Sequence, residues 1–192
     1  MTSRSAPPFH RLCVFCGART GRNPHHALAA RALGAELGKR QVGLVYGGGR
    51  IGLMGEMADA ALAAGATVTG VIPDALVAME QAHRGLADLR VVRSMHERKA
   101  LMHELAHGFV ALPGGIGTFE ELCEAITWSS IGYHSKPVGM LDVDGYFRPL
   151  LAALDHAVAE GFLYPELRAG LLVESDPLAL LDRIERVWRS QI

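Results

Sequence analysis

The chain has 192 residues, 49% of them hydrophobic, enough to bury one sizeable core within ordinary single-domain length. Nineteen Lys and Arg against 20 Asp and Glu leave a formal net charge of −1 with no long run of either sign, which excludes the basic footprint of a nucleic-acid or anionic-membrane binder. No run of about 18 uninterrupted apolar residues could span a membrane, and Met1 to Arg11, with Pro7-Pro8 and scattered charge, does not read as a signal peptide, so a cytoplasmic protein is expected.

Short apolar runs alternate with longer helical patterns, the sign of a parallel sheet wrapped by helices. Residues 1–10 read as a disordered tail and 11–192 as one nucleotide-binding α/β domain. Strands are expected near 12–16, 42–46, 67–72, 109–113, 138–142 and 171–174. Helices are expected near 25–39, 52–64, 95–107, 118–131, 146–160 and 177–189. Val42 to Tyr46 and Val68 to Ile72 do not alternate in polarity, so both faces of these strands should be covered. Right-handed crossovers then give a three-layer, doubly wound, Rossmann-like parallel sheet.

The first strand carries Cys13 and Cys16, a C-x-x-C set inside an apolar run rather than at a helix start, which reads as buried strand cysteines. Cys123 makes three, too few for a disulfide framework. The second strand runs into Gly47-Gly48-Gly49-Arg50-Ile51-Gly52, which contains G-x-G-x-x-G at Gly47, Gly49 and Gly52 between strand and helix. Asp74, about 22 residues beyond Gly52, stands near the spacing of an acidic ribose ligand, so an NAD-dependent oxidoreductase competes. Against it, the dinucleotide fingerprint normally follows the first strand, and the chain ends before a substrate domain. A plainer alternative is that the glycines only let the helix pack close to the sheet. Pro73 to Arg93 then forms the one long irregular segment, on the ligand side of the sheet.

The helix near 95–107 opens with Arg98 and Lys99, although the helix dipole favours acids at that end. Their placement points to an anion nearby; the alternative is a solvated surface pair. The same helix carries His103-Glu104-Leu105-Ala106-His107, an H-E-x-x-H zinc-protease pattern. It falls in the last helical turn, opposite the ligand edge, so no metal is expected. After the next strand comes Pro113-Gly114-Gly115-Ile116-Gly117-Thr118-Phe119-Glu120-Glu121. Gly114, Gly115 and Gly117 can take positive φ and leave N–H groups bare, and Thr118 is a natural N-cap, so the loop suits a 5′-phosphate. Thr118-x-x-Glu121 is also a capping box, which would make Glu121 a scaffold residue.

Three segments together resemble the Lonely Guy family of cytokinin-activating phosphoribohydrolases, whose members were long labelled lysine decarboxylases. They are Gly47 to Gly55, Met95 to Lys99 and Pro113 to Glu121, with Gly70 to Pro73 and Lys136 to Gly139 matching as well. The resemblance implies hydrolysis of the N-glycosidic bond of a cytokinin riboside 5′-monophosphate, with AMP a related substrate and no cofactor. It puts the essential arginine and glutamate on Arg98 and Glu121. Substrate contacts fall on Glu80, Lys99, the loop Gly114, Gly115, Ile116, Gly117 and Thr118, then Glu120 and Thr127, with Gly47, Gly48, Gly49 and Gly52 as a nucleotide loop. Where many members have C-G-S this chain has Cys16-Gly17-Ala18, so one hydroxyl contact is missing. The family is dimeric or hexameric; a homo-oligomer, with the dimer favoured, is expected, and Ala125-Ile126-Thr127-Trp128 would suit a subunit interface. The competing class is a nucleotide-binding carrier, since carriers for the molybdenum cofactor look related in fold; two acids beside a phosphate loop argue against pure binding.

Overall fold

A computed structural model describes residues 9–78 and 81–191. Among them the apolar runs become seven parallel strands: β1 (Arg11–Phe15), β2 (Gly43–Tyr46), β3 (Val68–Pro73), β4 (Asp88–Val92), β5 (Gly108–Ala111), β6 (Val138–Leu141) and β7 (Leu172–Glu174). The helices are α1 (Pro24–Lys39), α2 (Gly52–Ala63), α3 (Met95–Leu105), α4 (Ile116–Ser130), α5 (Arg148–Ala159), α6 (Pro165–Gly170) and α7 (Pro177–Ser190). Sheet order is β4-β3-β2-β1-β5-β6-β7, so the chain winds outward from β1 in one direction and from β5 in the other. Ligands bind beside such a reversal, outside the carboxyl ends of the strands.

Both sheet faces are covered, as the unbroken apolar strands require. Leu12, Val14, Leu44, Tyr46 and Val110 pack on the side of α1, α2 and α7. Cys13, Phe15, Val45, Phe109 and Ala111 pack on the other, against α3, α4 and α5. Register then aligns the strand ends, because Val14 pairs with both Tyr46 and Val110, and Phe15 with Ala111. The loops after β1, β2 and β5 therefore open side by side.

The segment 73–93 is not one irregular loop: after a 3-10 turn at Asp74–Leu76 it contains β4, paired along β3. Its charges are those of an edge strand, with Asp88 accepting from Thr69 Oγ1 at 2.8 Å and from Arg90 Nε at 3.0 Å. The six-residue α6 begins at Pro165 and was too short to show a helical period. Of the expected tail, residues 1–8 lie outside the described residues, while Phe9 packs edge-on to Trp188 at 6.1 Å. No helix among the described residues is long and apolar enough to cross a membrane.

Candidate active site at the sheet reversal

The loop after β1 is bonded on both sides. Gly17 N–H donates to Pro113 O at 3.1 Å, and Leu53 N–H donates to Gly17 O at 3.0 Å, tying the β5 and β2 loops to the centre. Between them lies a cavity of about 660 Å³. The β1 loop forms its floor through Cys16 to Arg22; Gly114, Gly115, Gly117, Thr118, Glu120 and Glu121 form one wall; Gly47, Leu53, Met54, Met95 and Arg98 form the other.

On the β5 side, α4 starts two residues earlier than expected. Gly115 is its cap, Thr118 lies inside the first turn, and no side-chain cap bond is made. Thr118 is instead 4% exposed, its hydroxyl packed where a side chain on Gly114 would fall: a Cβ there would lie 2.1 Å from Thr118 Oγ1. None of Gly114, Gly115 and Gly117 takes a positive φ. Close approach dictates the first, while Gly115 and Gly117 have nothing within 4 Å of an added Cβ and leave open space at the start of α4. A capping arrangement of the Ser/Glu type does exist, on α3: Ser94 Oγ accepts from Glu97 N–H at 3.1 Å and Glu97 Oε2 accepts from Arg93 N–H at 2.9 Å.

Arg98 is no surface charge. It is 5% exposed and reaches under the strand ends, Nε donating to Val71 O at 3.1 Å and Nη2 to Gly47 O at 2.9 Å. Gly47 must be glycine for this, since a Cβ would lie 2.2 Å from Nη2. Charge-assisted bonds of this kind are worth about 1.5–3 kcal/mol each, so the guanidinium is firmly seated. Glu121, half-buried on the facing wall, makes its field felt at the end of β1: burial pushes the Cys16 thiol well up and Glu121 adds to the rise. Cys13 is raised by burial and Glu121 and opposed by Arg98, so both charges approach the central strand. Cys13 and Cys16 are buried and Cys123 is exposed, all three free thiols.

Lys99 is not itself on the cavity lining. Its ammonium lies 2.5 Å from Glu120 and 2.7 Å from Glu124, which bridges α3 to α4. Burial alone would lower its pKa, but the two carboxylates outweigh that and raise it. Of the two acids beside the loop, Glu120 therefore has its own counter-charge. Ile116 is 83% exposed and off the cavity wall, and Thr127 is exposed with its hydroxyl donated to Cys123 O at 2.7 Å. Glu80 lies outside the described residues. In the β2 loop only Gly47 lines the cavity. Gly48 packs on Ile72 and Leu89, Gly49 bridges to Ala82, and Gly52 abuts the Ala18 backbone, and these three are off the cavity lining.

The remaining expectations resolve locally. α3 stops at Leu105, so His107 is off the helix, and its Nδ1 accepts from the His10 N–H at 3.0 Å. His103 is buried against Trp128 at 4.3 Å, and burial pulls its pKa down to about 4. Asp74 is exposed, its carboxylate accepting from the Ala75 N–H at 2.6 Å. Ala125 and Ile126 face the core of their own chain, because they fall on the same helical stripe as Leu122; only Thr127 of that segment is exposed. Arg19, Arg22, His26 and Tyr146, which no sequence motif marked, also line the cavity. Position after β1, at the reversal, was the available signal for the first three.

Sheet order and cavity define a doubly wound α/β protein with a ligand-sized cavity at its topological switch point. The family model described as "Possible lysine decarboxylase" matches residues 54–184. A cytokinin riboside 5′-monophosphate phosphoribohydrolase of Rhodococcoides fascians is 46% identical over 92% of this chain and 89% of that protein. The enzyme of the same name, LOG7, from Arabidopsis thaliana is also 46% identical, over 92% of this chain and 82% of its own. The Moco carrier protein of Chlamydomonas reinhardtii shares the fold alone, with TM-score 0.70, 18% identity, and coverage of 95% and 99%. The chain belongs to the cytokinin riboside 5′-monophosphate phosphoribohydrolase family, and is an enzyme of that class.

Proposed function

We propose that the cavity hydrolyses the C1′–N9 bond of cytokinin riboside 5′-monophosphates, giving the N6-substituted adenine and ribose 5-phosphate, and that AMP is cleaved in the same way. The observation that carries this reading is the opposition of an open glycine turn at the start of α4 to a buried arginine across the same cavity. The turn suits the phosphate. Gly114 follows β5 and Gly47 follows β2, two strand spacings or roughly 10 Å apart. A nucleotide with its phosphate at the turn therefore extends its sugar over β1 and its base toward Arg98.

Glu121 then takes a proton from water as the water oxygen bonds to C1′ and the C1′–N9 electron pair leaves with the base, which is protonated in turn. Such a transition state carries oxocarbenium character that the same carboxylate stabilises. Arg98 offsets charge developing on the departing base. Leu53, Met54, Leu76 and Met95 give that end an apolar lining suited to the N6 substituent. Lys99 keeps Glu120 neutralised rather than touching the phosphate.

The implied contact at Thr127 lies on an exposed helix face outside its own cavity, which a second subunit would reconcile by bringing its Thr127 across a dimer. The three free thiols suit the reducing cytoplasm. The function is tested by assaying free-base release from isopentenyladenosine 5′-monophosphate and from AMP in parallel. Release from both is expected, and release from neither would overturn the reading.

A further inference from the structure

Tyr146 stands in the loop between β6 and α5, outside every motif that marked the site, yet its ring lines the cavity. Its hydroxyl donates to Gly114 O. The ring is packed on three sides, edge-on to His26 at 5.5 Å and Phe147 at 5.2 Å and stacked on Phe119 at 6.3 Å, so the donor has little freedom to turn away. Gly114 is also held from behind, since a Cβ on it would lie 2.1 Å from Thr118 Oγ1 and 2.9 Å from Gly17 N.

The direction of that one hydrogen bond has a consequence for the neighbouring amide. In a trans peptide the carbonyl and the N–H point opposite ways. Tyr146 follows β6 and Gly114 follows β5, so the tethered carbonyl is held toward the β6 rim of the cavity and the Gly115 N–H turns the opposite way, toward the β1 loop that forms the cavity floor. Without the tether the Gly114–Gly115 peptide, flanked by two residues without side chains, could rotate its carbonyl into the cavity and present a negative dipole to an anion.

We propose that Tyr146 is a positioning residue for the phosphate half of the substrate: it locks the Gly114–Gly115 peptide with the amide facing the cavity. This rests on the phosphate being held at that turn. The consequence is selective, because a group acting on the turn affects ribose 5-phosphate and the nucleotide but not the free base.

The test is Tyr146→Phe, which keeps the ring and its packing and removes only the hydroxyl. Losing one bond of this kind is expected to raise KM for isopentenyladenosine 5′-monophosphate roughly five- to tenfold. The inhibition constant of ribose 5-phosphate should rise by the same factor, while kcat and inhibition by isopentenyladenine stay within about twofold. Unchanged ribose 5-phosphate inhibition overturns the proposal, and so does an equal weakening of both products, which a merely loosened fold would give. The shift in melting temperature produced by ribose 5-phosphate provides the same comparison without turnover. If the wild-type protein releases no base, the proposed function fails, and that shift still decides the role of Tyr146.

Discussion

Glu121 and Arg98 both line the cavity, on supports of different kinds. Arg98 is built into the scaffold, its Nε and Nη2 on the carbonyls of Val71 and Gly47, so truncating it would unseat two strand ends as well as the chemistry. Glu121 rises from the second turn of α4, past the helix's backbone cap at Gly115. Glu121→Gln is therefore the cleaner probe: it keeps size and polarity but cannot take a proton from water. A loss of roughly hundredfold or more in kcat is expected at an unchanged melting temperature. Near wild-type turnover would show that Glu121 is a scaffold residue. The sequence already singled out both side chains through their motifs, but it could not show that Arg98 is buried. Nor could it show that Lys99, its neighbour, turns to Glu120 and Glu124, since adjacent helix positions point roughly 100° apart and only the packed partners decide which faces inward.

At the scale of elements, most of the fold was readable wherever a run was apolar throughout. β1, β2, β3, β5 and β6 are buried on both faces, and each announced itself that way. β4 did not, because an edge strand carries charge such as Asp88 and Arg90 on purpose, and charge in sequence looks like a loop. The start of α4 was misjudged for a related reason: Thr118 has the chemistry of a cap, yet the tight seat against Gly114 uses its hydroxyl for packing. The two glycine loops also divide their labour in a way no spacing reveals. Gly47 makes room for Arg98, whereas Gly52 lets α2 abut the Ala18 backbone, where an added Cβ would fall 2.3 Å away. Gly47→Ala should therefore displace the guanidinium without touching the phosphate turn. The expected result is a fall of about tenfold or more in kcat with ribose 5-phosphate inhibition unchanged; an equal loss of both would mean that the β2 loop holds phosphate after all.

For the whole molecule, sheet order explains why one cavity gathers loops from β1, β2 and β5: the reversal between β1 and β5 leaves a crevice that neither half of the sheet fills. Ala125 and Ile126 serve the chain's own core, so any interface formed here would have to use the outer face of α4 and the turn after it, including Thr127, Ile131 at 57% exposure and Tyr133 at 74%. A dimer is the expected mass by light scattering, and a monomer that turns over at full rate would remove Thr127 from the site. On the proposed reading, this crevice breaks a glycosidic bond of a nucleotide held by its phosphate. That reading is tested most directly by following both halves of isopentenyladenosine 5′-monophosphate and of the unphosphorylated riboside. Free base and ribose 5-phosphate are expected in equal amounts from the monophosphate, with roughly a hundredfold less cleavage of the riboside. Inorganic phosphate with intact riboside as products, or equal cleavage of both compounds, would contradict it.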